Sequence, residues 1–138
     1  MFRSRKQMRS VNSCMWGVLL GVAAAGIASA QTPDCDIQRP VFVNGGVAEG
    51  KMTVVNKGAP CAFHFKFMGS SDPDEWKVIE APKHGKIEAG GNSVKYLPEA
   101  AYTGADAFIV EVFGRATFAK GQPRNGKFAF QVDVRAAP

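Results

Sequence analysis

Lys127-Phe-Ala-Phe-Gln-Val-Asp-Val-Arg135 sets Phe128, Phe130, Val132 and Val134 at every second position, with Lys127, Gln131, Asp133 and Arg135 between them. Successive side chains point to opposite faces of a strand, so this run has one buried face and one wet face only as a β-strand. Slipping its pairing by one residue would carry Asp133 and Arg135 into the core, so its register is strongly specified. Cys61-Ala-Phe-His-Phe-Lys-Phe67 repeats the pattern. There Phe63, Phe65 and Phe67 share one face, and Ala62, His64 and Lys66 share the other.

Weaker strand signals lie at Val41–Val43, Met52–Val55, Trp76–Ile79, Lys86–Glu88, Ser93–Tyr96 and Phe108–Phe113. Turn chemistry separates them at Asn44-Gly45-Gly46, Asn56-Lys57-Gly58, Ser70 to Asp74, Gly90-Gly91-Asn92 and Asn125-Gly126. No long stretch carries apolar residues at helical spacing. The expectation is an all-β antiparallel sandwich of about seven or eight strands. A small β-barrel demands the same alternation and is the alternative. Arg115 to Asn125 reads as a long connection between the last two strong strands, carrying Arg115, Lys120 and Arg124 among Gly121 and Pro123. Three charges of one sign on a loop suit an acidic partner or a solvated surface.

The chain of 138 residues carries 17 Lys and Arg against 12 Asp and Glu. Arg3, Arg5, Lys6 and Arg9 open it, an apolar run from Cys14 to Ile27 follows, and Ala28-Ser29-Ala30 supplies the small residues of a cleavage site. This three-part pattern predicts a secretory signal peptide over residues 1–30, cleaved after Ala30. The apolar run is shorter than the ~20 residues that span a bilayer. The mature part, residues 31–138, is expected to form one domain with no transmembrane segment. Removing the four leader cations from 17 leaves 13 basic residues against 12 acidic. A near-neutral domain has no electrostatic drive toward nucleic acid or anionic membrane. Export leads either to the periplasm or outside the cell. Cys14 leaves with the leader, and Thr-Pro-Asp before Cys35 is not the small apolar approach of a lipidated cysteine.

The mature part keeps Cys35 and Cys61, and an even pair in an oxidising compartment predicts a disulfide. It would close a loop of 27 residues. The chain-entropy account makes such a loop worth about 3.5 kcal/mol. Thioredoxin-like chemistry wants the cysteines two residues apart, and zinc wants four ligands.

Pro82-Lys-His-Gly-Lys-Ile87, Val94-Lys-Tyr-Leu-Pro98 and Tyr102-Thr-Gly-Ala-Asp-Ala-Phe108 follow in order along the chain. This succession resembles the bacterial Ig-like and cadherin-like modules of secreted and surface proteins. The match runs from Pro82 to Phe113 and rests on Pro82, His84, Gly85, Tyr96, Pro98, Tyr102, Gly104, Asp106 and Phe108. The resemblance implies an Ig-like β-sandwich and no catalytic residues. Each matched residue also has a physical reading of its own. Pro82 stops a strand, and Gly85 permits a positive φ in the following turn. The Tyr96 ring packs while its hydroxyl finds a backbone partner, and Pro98 ends the strand. Gly104 and Asp106 close a tight turn, with the carboxylate accepting backbone N–H groups. Such modules usually come in tandem with acidic calcium ligands at their junctions, whereas this chain has room for one. Asp72, Asp74 and Glu75 share a loop, but calcium takes ~6–8 oxygens, so a solvated turn is the preferred reading. Trp76 follows both cysteines, unlike the antibody arrangement, and reads as a core or rim aromatic.

No spacing known for catalysis occurs. His64 lies on the outward face of its strand and His84 in the Pro-Lys-His-Gly turn. Ser70, Ser71 and Ser93 lack a nucleophile-elbow pattern. Glycine-rich phosphate loops and zinc-binding His pairs are missing from the sequence. The expectation is a non-enzyme with no cofactor and no metal. It would bind a protein or polysaccharide, with Lys83, His84 and Lys86 gathered at one turn. A structural envelope protein, or a small inhibitor presenting Arg115 to Asn125 to a hydrolase, is the alternative. An unpaired edge strand also leaves a dimer open.

Overall fold

The computed structural model describes residues 33–68, 71–116 and 121–138. The expected leader, Cys14, Ser70 and Lys120 lie outside the described residues. Eight strands form: β1 (Cys35–Gln38), β2 (Val47–Asn56), β3 (Cys61–His64), β4 (Glu75–Glu80), β5 (Gly85–Gly90), β6 (Ser93–Pro98), β7 (Gly104–Ala116) and β8 (Gln122–Ala136). They build one sheet in the order β1-β2-β8-β7-β4 and a second in the order β3-β6-β5. The two sheets are not closed into a barrel, and the fold is a β-sandwich. No helix among the described residues is long and apolar enough to cross a membrane.

The inner rows are those the alternation predicts. Phe128, Phe130, Val132 and Val134 on β8 are buried beside Phe108, Val110 and Val112 on β7. Phe63, Val94 and Tyr96 face them from the second sheet. Burial on this scale, at roughly 25 cal/mol per Å² of apolar surface, is the main force holding the sheets together.

Three features depart from the sequence expectation. Every strand pairing is antiparallel except β2 with β8, which run parallel from Val47 opposite Lys127 to Asn56 opposite Ala136. Parallel neighbours need a long crossover, and here everything between Asn56 and Gln122 serves as one. Val41–Val43 is not a strand. The Gly46 N–H bonds the Val43 carbonyl at 3.0 Å, so the chain turns there, and Phe42 packs inward against Phe65 and Phe67.

Arg115 to Asn125 is not a long loop. The β7–β8 ladder continues to Ala116 opposite Gln122, with Arg115 opposite Pro123 and Gly114 opposite Arg124. Pro123 is tolerated because the backbone at its neighbour Asn125, of the same parity, points away from β7, to Gly45 and Asn44. The missing proline N–H therefore faces the open edge of the ribbon.

The long edges of the sandwich are tied differently. At the β1/β3 edge, Cys35 and Cys61 form the expected disulfide, with their Cα atoms 5.4 Å apart. At the β4/β5 edge, Trp76 Nε1 donates to the Gly91 carbonyl at 3.0 Å across the two sheets. Trp76 is half-buried, so of the core and rim positions its sequence left open it takes the rim.

Candidate functional site

The two ends of the sandwich have different chemistry. At one end, the three sequence blocks of the motif converge. Asp106 sits on the inner row of β7 and is only 7% exposed. Its carboxylate accepts the Tyr96 hydroxyl at 2.8 Å, the Lys83 N–H at 2.9 Å, the His84 N–H at 3.0 Å and the Ala107 N–H at 2.9 Å. Burial pushes this carboxyl up. The Tyr96 hydroxyl and the three backbone donors outweigh that and hold it below its ordinary value. Burial drives the Tyr96 phenol well above its ordinary value, and the adjacent carboxylate adds to the shift. The ring of Tyr96 lies stacked on Phe108 with centroids 5.9 Å apart.

Around this centre, His84 stacks on Tyr102 at 4.1 Å, and its Nδ1 stands 3.9 Å from a Glu99 oxygen. The Glu99 N–H bonds the His84 carbonyl at 2.9 Å. Asn56 Nδ2 donates to the Glu99 and Tyr102 carbonyls at 2.8 and 3.0 Å. Pro82 and Pro98 are buried, with Pro98 ending β6 opposite Gly85. The motif residues are thus brought together, and their polar groups are largely satisfied by one another. The arrangement is a joint between the sheets.

Several residue readings change. Gly104 and Asp106 lie on β7 and form no tight turn, although the carboxylate does collect backbone N–H groups as expected. The Tyr96 hydroxyl meets a carboxylate, not the backbone, because the inner row of β7 brings Asp106 directly under it. Gly85 does not use a positive φ. It is glycine because an added Cβ would lie 2.6 Å from the Tyr96 ring and 2.8 Å from the Leu97 carbonyl. Gly104 is the motif glycine with a positive φ, at 132°.

The opposite end is aromatic inside and aliphatic outside. Phe42 closes it, with ring centroids 5.5 Å from Phe65, 5.3 Å from Phe67 and 6.1 Å from Phe128. The loops that insert Phe42 and Phe67 leave their chain neighbours in water. Val41 is 81% exposed, Met68 75% and Val43 49%. Sequence alternation expects Val41 and Val43 in a strand, so it misses this aliphatic set. The clue is the neighbouring Pro40 and the Asn-Gly-Gly turn.

Beside this end, a groove is lined by Asp74, Glu75, Phe113, Arg115, Pro123 and Asn125, among others. Arg115 donates to the Gly121 carbonyl at 2.9 Å. Among the described residues, none of Asp74, Glu75, Arg115 or Arg124 forms an ion pair. Asp72 pairs instead with Lys66 at 3.6 Å. Among the described residues, no group of three or more His, Cys, Asp and Glu side chains is placed to hold a metal. His64 is exposed, as its outward position requires. Compared with known proteins, the chain matches no family model and no curated protein.

Proposed function

We propose that this chain is an exported, non-catalytic Ig-like binding module that contacts a protein partner through the aromatic-plugged end of its sandwich. The observation that carries the reading is the set of exposed aliphatic side chains, Val41, Val43 and Met68, flanking the packed Phe42 and Phe67 rings. Exposed apolar side chains grouped on rigid loops mark contact surfaces for other proteins. The disulfide and the leader-like start support export. The polar groups of the motif end, including both members of the Tyr96–Asp106 pair, are engaged in holding the sheets, which supports a role without chemistry at that end.

The test is a pull-down from envelope and culture-medium fractions with the oxidised protein as bait, run beside a Val41→Asp/Met68→Asp variant. A partner captured by the parent and lost by the variant is the expected result. Capture that ignores the double change would overturn the assignment of this end, and an empty result from both fractions would overturn the binding role.

A further inference from the structure

We propose that the outer face of the β7–β8 ribbon is a self-complementary contact that joins two copies of this chain. The ribbon overhangs the sandwich. β4 ends its pairing with Glu75 opposite Phe113, and β2 begins its pairing with Val47 opposite Lys127. Beyond those points, Gly114–Ala116 pair in the ladder only with Gln122–Arg124. Past Phe113, the outer edge of β7 faces no strand among the described residues.

The charges of the groove at the base of this ribbon are unusual in their arrangement. Asp74 and Glu75 stand on the β4 side, while Arg115 stands on the ribbon; Pro123 and Phe113 lie between them, with the Lys77 ammonium over the Phe113 ring at 5.1 Å. Both signs are present, yet no ion pair joins them. The guanidinium of Arg115 is held by the Gly121 carbonyl within its own hairpin. An acidic partner would meet Asp74 and Glu75, and a basic partner would meet Arg115 and Arg124. A second copy related by a two-fold axis meets neither objection. It sets the arginine side of one chain against the acidic side of the other, and the symmetry repeats each attraction twice. This groove borders the aliphatic end but is not lined by Val41, Val43 or Met68, so changes at Arg115 and Glu75 test it separately.

The experiment is sedimentation of the full-length product, exported and purified in its oxidised form, across a wide concentration range at low and high salt. The expected result is a monomer–dimer equilibrium that weakens as salt is raised. Arg115→Glu and Glu75→Arg should each weaken dimerisation by about tenfold, since every reversal acts twice across the axis. Mixing the two variants should recover a heterodimer that neither forms alone. Both positions are exposed, and unchanged thermal melting would show that the variants fold. A protein that stays monomeric throughout, a dimer indifferent to both reversals, or a mixture that recovers nothing would each overturn the proposal. None of these outcomes bears on binding through Val41 and Met68.

Discussion

The Tyr96 hydroxyl donates to the Asp106 carboxylate at 2.8 Å, and the two residues belong to different sheets. The same carboxylate gathers the Lys83 and His84 N–H groups from the turn that leads into β5. One buried side chain therefore fixes the distance between the layers and the path of a connection. Removing a partner from a buried charged network leaves the others unsatisfied. Asp106→Asn should cost about 2–4 kcal/mol, and Tyr96→Phe about 1.5–3 kcal/mol. Urea unfolding of both single variants and the double variant measures the coupling. A double variant whose loss equals the sum of the singles would mean that the pair acts independently.

The pair also sets how stability depends on pH. Asp106 is held below its ordinary value of 3.8, so the folded state binds fewer protons than the unfolded state in that range. Its contribution is present above the unfolded value and is lost as pH falls through the lower folded one. Tyr96 has the opposite sign. Its phenol is raised above 10.0, so its contribution is present below that pH and declines as pH rises past it. Stability profiles of Asp106→Asn and Tyr96→Phe should be flatter on the acid and alkaline limbs respectively. Chemical unfolding from pH 2 to pH 11, roughly the window these shifts define, checks it.

The inner rows of β7 and β8 were legible because large apolar residues stand at successive alternate positions, Phe108, Val110 and Val112 on one and Phe128, Phe130, Val132 and Val134 on the other. The start of β2 was not, because Ala48 and Gly50 fill its inner positions and carry little hydropathy signal. Gly50 is there because an added Cβ would lie 2.6 Å from the Phe130 ring. β1 was hidden for a different reason: four residues, alternately half-buried and exposed, hold too little pattern to read. In the motif, the residue identities were legible, but their meeting point was not. Nothing in local spacing says that Asp106 lies beneath Tyr96, since that depends on how the two sheets face each other. The aliphatic end was illegible because a run of three apolar residues does not say which of them turns inward, and here Phe42 does while Val41 and Val43 stay in water.

Glycines separate into those held by contact and those in open space. Gly85→Ala would press a methyl into the Tyr96 ring and the Leu97 carbonyl. Backbone cannot move aside cheaply, so the loss should be about 1–3 kcal/mol. Gly90 lies at the opposite end of the same strand, takes no positive φ, and has nothing within 4 Å of an added Cβ. Gly90→Ala should fall within about 0.5 kcal/mol of the parent. Thermal melting of the two variants side by side decides whether crowding, and not glycine flexibility, fixes Gly85.

The disulfide gives the last prediction, because it ties the weakest part of the larger sheet. β1 has only four residues and pairs with β2 alone, while Cys61 on β3 is fully buried in the core. The bond spans 26 positions of sequence. Its loss restores the freedom of that segment to the unfolded chain, which lowers stability by about 2–4 kcal/mol. Replacing both cysteines with alanine also leaves space in the core at the buried Cys61 position, whereas reduction of the parent does not. Reduction by dithiothreitol should therefore cost less than the double replacement, with the difference reporting the packing of Cys61. Unfolding curves for the oxidised, reduced and Cys35→Ala/Cys61→Ala proteins separate the two terms. If reduction leaves the midpoint unchanged, the bond contributes no constraint that the β1–β2 ladder does not already impose.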